Sequence, residues 1–313
     1  MKQRALTFLN LMKTSGSEAI DDNIMKQAAA LAYYTVFSLV PMLIILIWIS
    51  SIFYEPSKIQ GELLYKMNDL IGKDASRQIQ EVMIKTKFDS GSGWAKALGI
   101  ITLVLTATGI FAEIQDSINT IWGLKAKPKK GLIKLLFNRF VSFSLLISLG
   151  FVLVVSLTLN AVISAFTSRI QGVFPDVPVF IFYILDQAFI FIVITFLFSA
   201  IYKVLPDAKI KWTDVFGGAA ISTLFFMGGK YLIGYYLEGN ATISAYGSAG
   251  SVIIILLWVY YSSIILYFGA EFTQAYLKLK NRHIEPNQYA VWVETNEHVV
   301  ESNTELTKAS DTQ

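Results

Sequence analysis

The chain has 313 residues, 54% of them hydrophobic and only 16% charged, with a net charge of +3 and a mean hydropathy of +0.52. A soluble domain carries about 25% charged residues, so this composition excludes an ordinary soluble fold, and so small a net charge gives no basis for nucleic-acid affinity. The lack of cysteine excludes disulfides, thiolate catalysis and cysteine-ligated metals, and the two histidines, His283 and His298, are too few for a histidine-rich metal centre.

Residues 1–26 place Lys2, Arg4 and Lys13 around a short apolar run. That run is too short for a secretory signal, so the segment reads as an amphipathic cytoplasmic leader with Leu6, Leu9 and Met12 on one side. Asp21 to Asn23 offer N-caps for the helix that follows. The first span is expected over 27–54, uncharged between Lys26 and Glu55, with a kink at Pro41 where a backbone donor is missing. In the connection over 57–90, Ile59, Leu63, Met67 and Leu70 recur at helical spacing, as do Ile79, Val82 and Met83, which predicts amphipathic helices on the membrane surface. A second span is expected over 94–116, a third over 140–167 and a fourth over 179–202. The fifth is expected over 212–237 and the sixth over 246–276, inside the uncharged run Gly239–Ala270. At about 1.5 Å per residue, that run exceeds the roughly 30 Å of bilayer hydrocarbon. From residue 278 to 313 the chain is polar, and from Ile284 onward it is expected to be disordered.

Basic residues set the expected orientation. Lys125, Lys127, Lys129, Lys130, Lys134 and Arg139 lie between spans two and three, Lys203, Lys209 and Lys211 between four and five, and Lys278, Lys280 and Arg282 after six. Arg169 alone lies between spans three and four. The alternation gives an all-α polytopic bundle of six transmembrane helices, both termini cytoplasmic and the amphipathic helices of 57–90 outside.

Polar groups at depth need a reason, since a charge at the bilayer centre costs at least about 2.5 kcal/mol. Asn160, Asp186 and Lys230 are expected in the outer half, Asp186 roughly 10 Å in at 1.5 Å per residue. They form either a hydrated cavity that meets a charged ligand or a structural pair with a snorkelling lysine. Near the cytoplasmic face, Glu113, Asp116 and Asn119 share one helical face, and Glu271 closes the sixth span. This second group reads as a cation or proton site, or as a wetted helix end. Gly217, Gly218, Ser222, Gly228 and Gly229 on the fifth span, with Gly247, Gly250 and Ser251 on the sixth, permit close helix approach. Gly228–Gly229 also permits a local break.

Four separated motifs carry a resemblance: AAALAYYTVFSLVP (Ala28–Pro41, with Tyr33, Tyr34 and Pro41), NTIW ending at Trp122, YKVLPDAKIKW (Tyr202–Trp212, with Pro206), and the run from Tyr246 to Phe272 with Gly247 and Gly250. In this order they resemble the YihY/BrkB family of bacterial inner-membrane proteins. The resemblance implies a six-helix membrane bundle with cytoplasmic ends. It implies less about activity, since members have carried ribonuclease BN, virulence and serum-resistance labels.

The residues weigh against a nuclease. Hydrolysis needs clustered carboxylates or histidines around an activated water, and no His–Asp cluster occurs. The basic loop is accounted for by topology and anionic headgroups. No GxxxxGK[ST] motif occurs, so direct ATP use is not expected. Neither a catalytic centre nor a cofactor is expected. The expectation is a transporter or flippase for an anionic or lipid-like substrate in contact with membrane lipids, the alternative being a non-transporting envelope scaffold.

Overall fold

The computed structural model describes residues 2–50, 52–53, 55–71, 76–77, 79–81, 93–127, 141, 144, 147–148, 179–239 and 248–293. Long helices dominate: α1 (Lys2–Asp21), α2 (Ile24–Ser50), α3 (Pro56–Ile71), α4 (Gly93–Ile121), α5 (Val179–Val204), α6 (Trp212–Gly239) and α7 (Ser248–Leu279). Four short strands join them: β1 (Leu124–Ala126), β2 (Ala208–Lys209), β3 (Glu285–Pro286) and β4 (Ala290–Trp292).

Among the described residues, three helical windows are long and apolar enough to cross a membrane: Ile24–Ile47, Gln187–Val204 and Val252–Leu279. Only 17% of the Gln187–Val204 window is buried inside the protein, so its apolar side chains face outward, where lipid suits them and water does not. Tyr33, Phe37, Ile192, Phe196 and Leu224 are likewise exposed on their helices. This is a helical membrane protein. The expected third span lies almost wholly outside the described residues.

α7 is the axis of the assembly, packing against α1, α2, α4 and α6, while α2 also packs on α4 and α5 on α6. The closest approach is between α6 and α7. Gly218 and Gly269 leave no room there for side chains: a Cβ on Gly218 would overlap the Gly269 carbonyl and Thr273, and one on Gly269 would overlap Ser222 and the Tyr202 hydroxyl. Gly229 in turn admits the Tyr261 ring. Sequence reading put the glycine contact of the last helix at its start, near Gly247 and Gly250. Gly250 is buried and Gly247 lies outside the described residues, while the close crossing is made by Gly269. α6 stays helical through Gly228–Gly229, and α2 stays helical through Pro41.

The structure adds to the picture at both termini. The leader is a full helix whose Leu11, Ser15 and Ala19 face is buried, with Leu11 in a cluster with Phe272 and Ala275. Leu6 and Leu9 are exposed, while Met12 packs partly buried against the Leu11 cluster. Asp21–Asn23 close this helix as much as they start the next one. Asn23 adopts φ 54°, its amide donates to Ile20 O at 3.0 Å, and α2 starts at Ile24.

One expectation changes in the tail. Residues 285–292, placed by sequence in a disordered segment, form β3 and β4. β4 pairs antiparallel with β1 (Leu124 with Trp292, Lys125 with Val291, Ala126 with Ala290), and β3 with β2 (Ala208 with Pro286, Lys209 with Glu285). The chain reaches these edges because α7 ends in a tight left-handed cap. Asn281 has φ 54°, Arg282 N donates to Leu277 O at 2.9 Å, and Asn281 N to Lys278 O at 3.0 Å. Those are the paired bonds of a Schellman turn, with Asn in the place more often held by Gly. Gly123 (φ 64°) ends α4 with the same handedness. The strands therefore cap one end of the bundle, and the tail straps the ends of α4 and α5 to α7.

Candidate functional site

The capped end holds the buried polar side chains of Asn119, Asp207 and Asp214. Asn119, on the last turn of α4, and Asp207, between α5 and β2, meet across 88 positions of sequence. Asn119 Nδ2 donates to Asp207 Oδ2 at 3.1 Å, and the Asp207 amide donates back to Asn119 Oδ1 at 2.8 Å. Asn287 of the tail adds a third member, its backbone N donating to Asp207 O at 2.8 Å and its Nδ2 to Asp207 Oδ1 at 3.3 Å. Nearby, Arg282 grips Asp214 with two bonds of 2.7 Å, and Asp214 also accepts the Lys211 amide at the start of α6. Trp122 donates its indole N–H to Ala270 O at 3.1 Å, and Gln274 donates to Ile121 O at 3.1 Å, fixing α4 to α7. Pro206 is buried in the same loop.

The single polar face expected from Glu113, Asp116, Asn119 and Glu271 is divided into three settings. Asn119 belongs to the Asp207 node. Glu113, half-buried, and Asp116, exposed, lie with Ser117 beside the buried Tyr267 hydroxyl of α7. Glu271, one turn further along α7, faces α1 instead. It is fully buried, and neither carboxyl oxygen receives a hydrogen bond. Its polar neighbours are Asp22, Glu18 and Lys278. Lys278 is already held by Glu18 at 2.8 Å. With the Asp22 carboxyl in contact and no N–H donor of its own, this buried carboxyl needs a proton or an arriving cation between the two groups.

Asp22 sits just outside the first span and shares this environment. Burial pushes its carboxyl up from the ordinary value, and the charges of Glu18 and Asp21 push the same way; the contact with Glu271 and the Lys278 ammonium pull it down. With a folded pKa above the unfolded one, Asp22 contributes stability that is complete below about pH 4 and is lost as pH rises through the elevated folded value. Asp22→Asn should therefore flatten the decline in Tm as pH rises above about 4 and leave the variant the more stable form once pH has passed the elevated folded value. Thermal unfolding across that range in detergent reads this, and parallel curves for the two proteins would contradict it.

For the outer group, the backbones of Asp186 and Lys230 are helical on α5 and α6, their side chains lie outside the description, and Asn160 lies outside the described residues altogether. Tyr33 and Tyr34 are exposed on α2, their rings 6.0 Å apart edge to face. Among the described residues, no three His, Asp or Glu side chains cluster closely enough to hold a metal ion. Sequence reading missed Glu18, Asp22, Asp207, Arg282 and Asn287. The available signals were the paired Asp21–Asp22 just before an apolar run and the Asp inside YKVLPDAKIKW.

Comparison with known proteins agrees with the motifs. A UPF0761 membrane protein of Alteromonas mediterranea is 26% identical over 255 residues, covering 81% of this chain and 83% of the relative. One from Haemophilus influenzae is 24% identical over 253 residues, covering 80% and 89%. A longer one from Albidiferax ferrireducens is 26% identical over 253 residues, which make up 80% of this chain but 58% of that protein. No solved structure matches the chain. The family model described as virulence factor BrkB matches residues 16–290. Since that match takes in most of the chain, from the second half of α1 to the start of β4, the chain belongs to the BrkB family of membrane proteins.

Proposed function

We propose that the protein is a non-enzymatic transporter or flippase of the bacterial inner membrane, moving an anionic or lipid-like substrate through a six-span bundle with both termini in the cytoplasm. The capped end is then cytoplasmic. The observation that carries this reading is Glu271, wholly buried on the central helix with both carboxyl oxygens lacking donors. A purely structural helix would be better served by an apolar residue there, since burying an unsatisfied polar group costs about 1–3 kcal/mol. A group kept at that cost suits a step in which a proton or counter-cation comes and goes. Its neighbours Asp22 and Glu18 sit at the α1–α2 turn, which gives the group a route toward solvent.

The test is reconstitution in liposomes, following movement of fluorescent lipids and of small anions with and without a pH gradient. Glu271→Gln keeps the shape and removes the titration. It should leave Tm equal or higher and reduce gradient-dependent movement by at least about tenfold, the usual scale for losing a positioned proton-transfer group. Full activity in that variant would remove the carboxyl from the mechanism.

The amphipathic surface helix α3, with Tyr65 exposed, favours a second reading in which the protein scaffolds envelope partners. Deleting Pro56 to Phe88 would then abolish function, while Lys230→Ala and Asp186→Ala would leave it intact.

A further inference from the structure

Beside the strap formed by the tail lies a hollow of about 610 Å³, lined by Lys203, Lys209, Lys211, Arg282, His283 and Glu285. Three separate stretches of chain build it: the last turn of α5, the β2 loop, and the segment after α7. The same Arg282–His283 wall borders a second hollow of about 760 Å³ between Trp122 and Trp292. Four permanent cations, Lys203, Lys209, Lys211 and Arg282, surround the first hollow, against the carboxylates of Glu285 and Asp214. Much of the neutralising capacity is already committed. Asp214 and Arg282 hold each other through two bonds, with Lys211 also near that carboxylate, and Glu285 lies opposite Lys209 in the strand register, so four cations against two carboxylates leave a net excess of positive charge. Lys203 donates to the Ile210 carbonyl, which fixes its ammonium at the wall without cancelling its charge. None of the three lysines forms an ion pair among the described residues. Lys203 also lies in the final turns of the Gln187–Val204 window, which puts the hollow level with the headgroups of a surrounding bilayer.

We propose that this hollow is a binding site for a phosphate group, carried on the headgroup of an anionic lipid. A concave site with an excess of fixed cations favours a compact polyanion over water, because charge-assisted hydrogen bonds from Lys and Arg are short and strong and a phosphate offers several acceptors at once. General attraction of a basic loop to acidic lipid does not need convergence of three chain segments, nor a lysine tethered to a backbone carbonyl. The proposal rests on the transport reading for its biological meaning. Its test rests on equilibrium binding alone.

The purified full chain in nanodiscs of phosphatidylcholine would be titrated with phosphatidic acid, and in a parallel arm with inorganic phosphate. Saturable binding of phosphatidic acid is expected. Lys209→Gln with Lys211→Gln should weaken it by about tenfold or more, as expected for removing charged partners of a phosphate. Both side chains are exposed, so the double variant should keep its Tm; if it does not, Lys211→Glu alone supplies the same comparison. Lys125→Gln, on the exposed β1 strand, is the control and should bind as the parent does. Competition by inorganic phosphate would confirm the shared chemistry, and saturable binding of phosphate without binding of phosphatidic acid would overturn the lipid source. Equal weakening by Lys125→Gln, or unchanged binding in the double variant, would overturn the site. Loss of transport in Glu271→Gln with lipid binding intact is expected, since the two sites use different residues; unchanged transport with binding intact would fell the transport reading and leave this one standing.

Discussion

Gly269→Leu should leave no folded, monodisperse protein after detergent extraction. At the α6–α7 crossing the two backbones touch through Gly218 and Gly269, and each glycine faces a polar contact that has no slack. The Tyr202 hydroxyl reaches Ser222 Oγ at 2.8 Å and the Leu266 carbonyl at 2.7 Å, and Ser222 reaches Ile265 O at 3.2 Å. The Tyr202 hydroxyl and Ser222 Oγ lie where a side chain on Gly269 would go. A single methyl already overpacks the crossing, so Gly269→Ala should cost about 1–3 kcal/mol. The four carbons of Leu cannot be seated without parting the helices and stripping the buried Tyr202 hydroxyl of its partners, which is a large share of a net stability of about 5–15 kcal/mol. Gly228 supplies the contrast. It lies on the same helix as Gly218 with nothing within 4 Å of a Cβ, so Gly228→Ala should be neutral or stabilising by up to about 1 kcal/mol from helix propensity. Thermal unfolding and size-exclusion profiles of the three variants check the account. A well-behaved Gly269→Leu protein would mean the helices do not cross there.

Asp207→Ala should destabilise by about 2–4 kcal/mol, because it removes the acceptor for two side-chain amide groups and leaves the buried Asn119 Nδ2 without its acceptor, while the backbone bond from Asp207 N to Asn119 Oδ1 stays. Asn119 is 7% exposed and Asp207 4%, so water is poorly placed to replace the lost bonds. The loss should be coupled. In a double-mutant cycle with Asn119→Ala, the two changes should cost less together than the sum of each alone, by about 1 kcal/mol or more. Asn287→Ala should matter less, since it removes the longer 3.3 Å bond to Asp207 and the local bond from Tyr289 N to Asn287 Oδ1 in a part-buried turn, while the backbone bond from Asn287 N to Asp207 O stays. A further readout separates this node from simple packing. With Asp207 gone, the strap should open to trypsin at Lys280 and Arg282 well below the temperature at which the helices melt. Additive energies and an unchanged cleavage pattern would show that the tail is held by its strands alone.

Much of this was legible in the linear chain. The long apolar runs around Ile24–Ile47, Gln187–Val204 and Val252–Leu279 read directly as helices surrounded by lipid, because a span must satisfy its own backbone and therefore writes its signal locally. The family could be read the same way, from motifs that each occupy a few adjacent residues. Asn119, Glu271 and the lysines of the Lys203–Lys211 loop stood out as polar groups near span ends. What could not be read was which of them meet. Asn119 was grouped with Glu113 by helical periodicity, yet its partner is Asp207, 88 positions away. That α1 turns its Leu11, Ser15 and Ala19 side to the bundle was likewise not legible, because α1 carries apolar residues on more than one side and only the groove along α7 chooses between them.

The tail shows the same division most plainly. Residues 284–293 mix Ile284, Tyr289, Val291, Trp292 and Val293 with polar neighbours, and taken alone so short a stretch does not outweigh the entropy of ordering a chain. They become strands because β1 and β2, set by the ends of α4 and α5, supply hydrogen-bond partners, and Ile284 and Ala290 find burial, only after the helices have assembled. Sequence by itself determined that this protein lives in a membrane, and to which family it belongs, since hydrophobicity and motif order are properties of neighbours along the chain. The tertiary structure alone decided which charges are buried, which are paired, and that Glu271 is left without a donor, since those depend on residues the chain brings together from far apart.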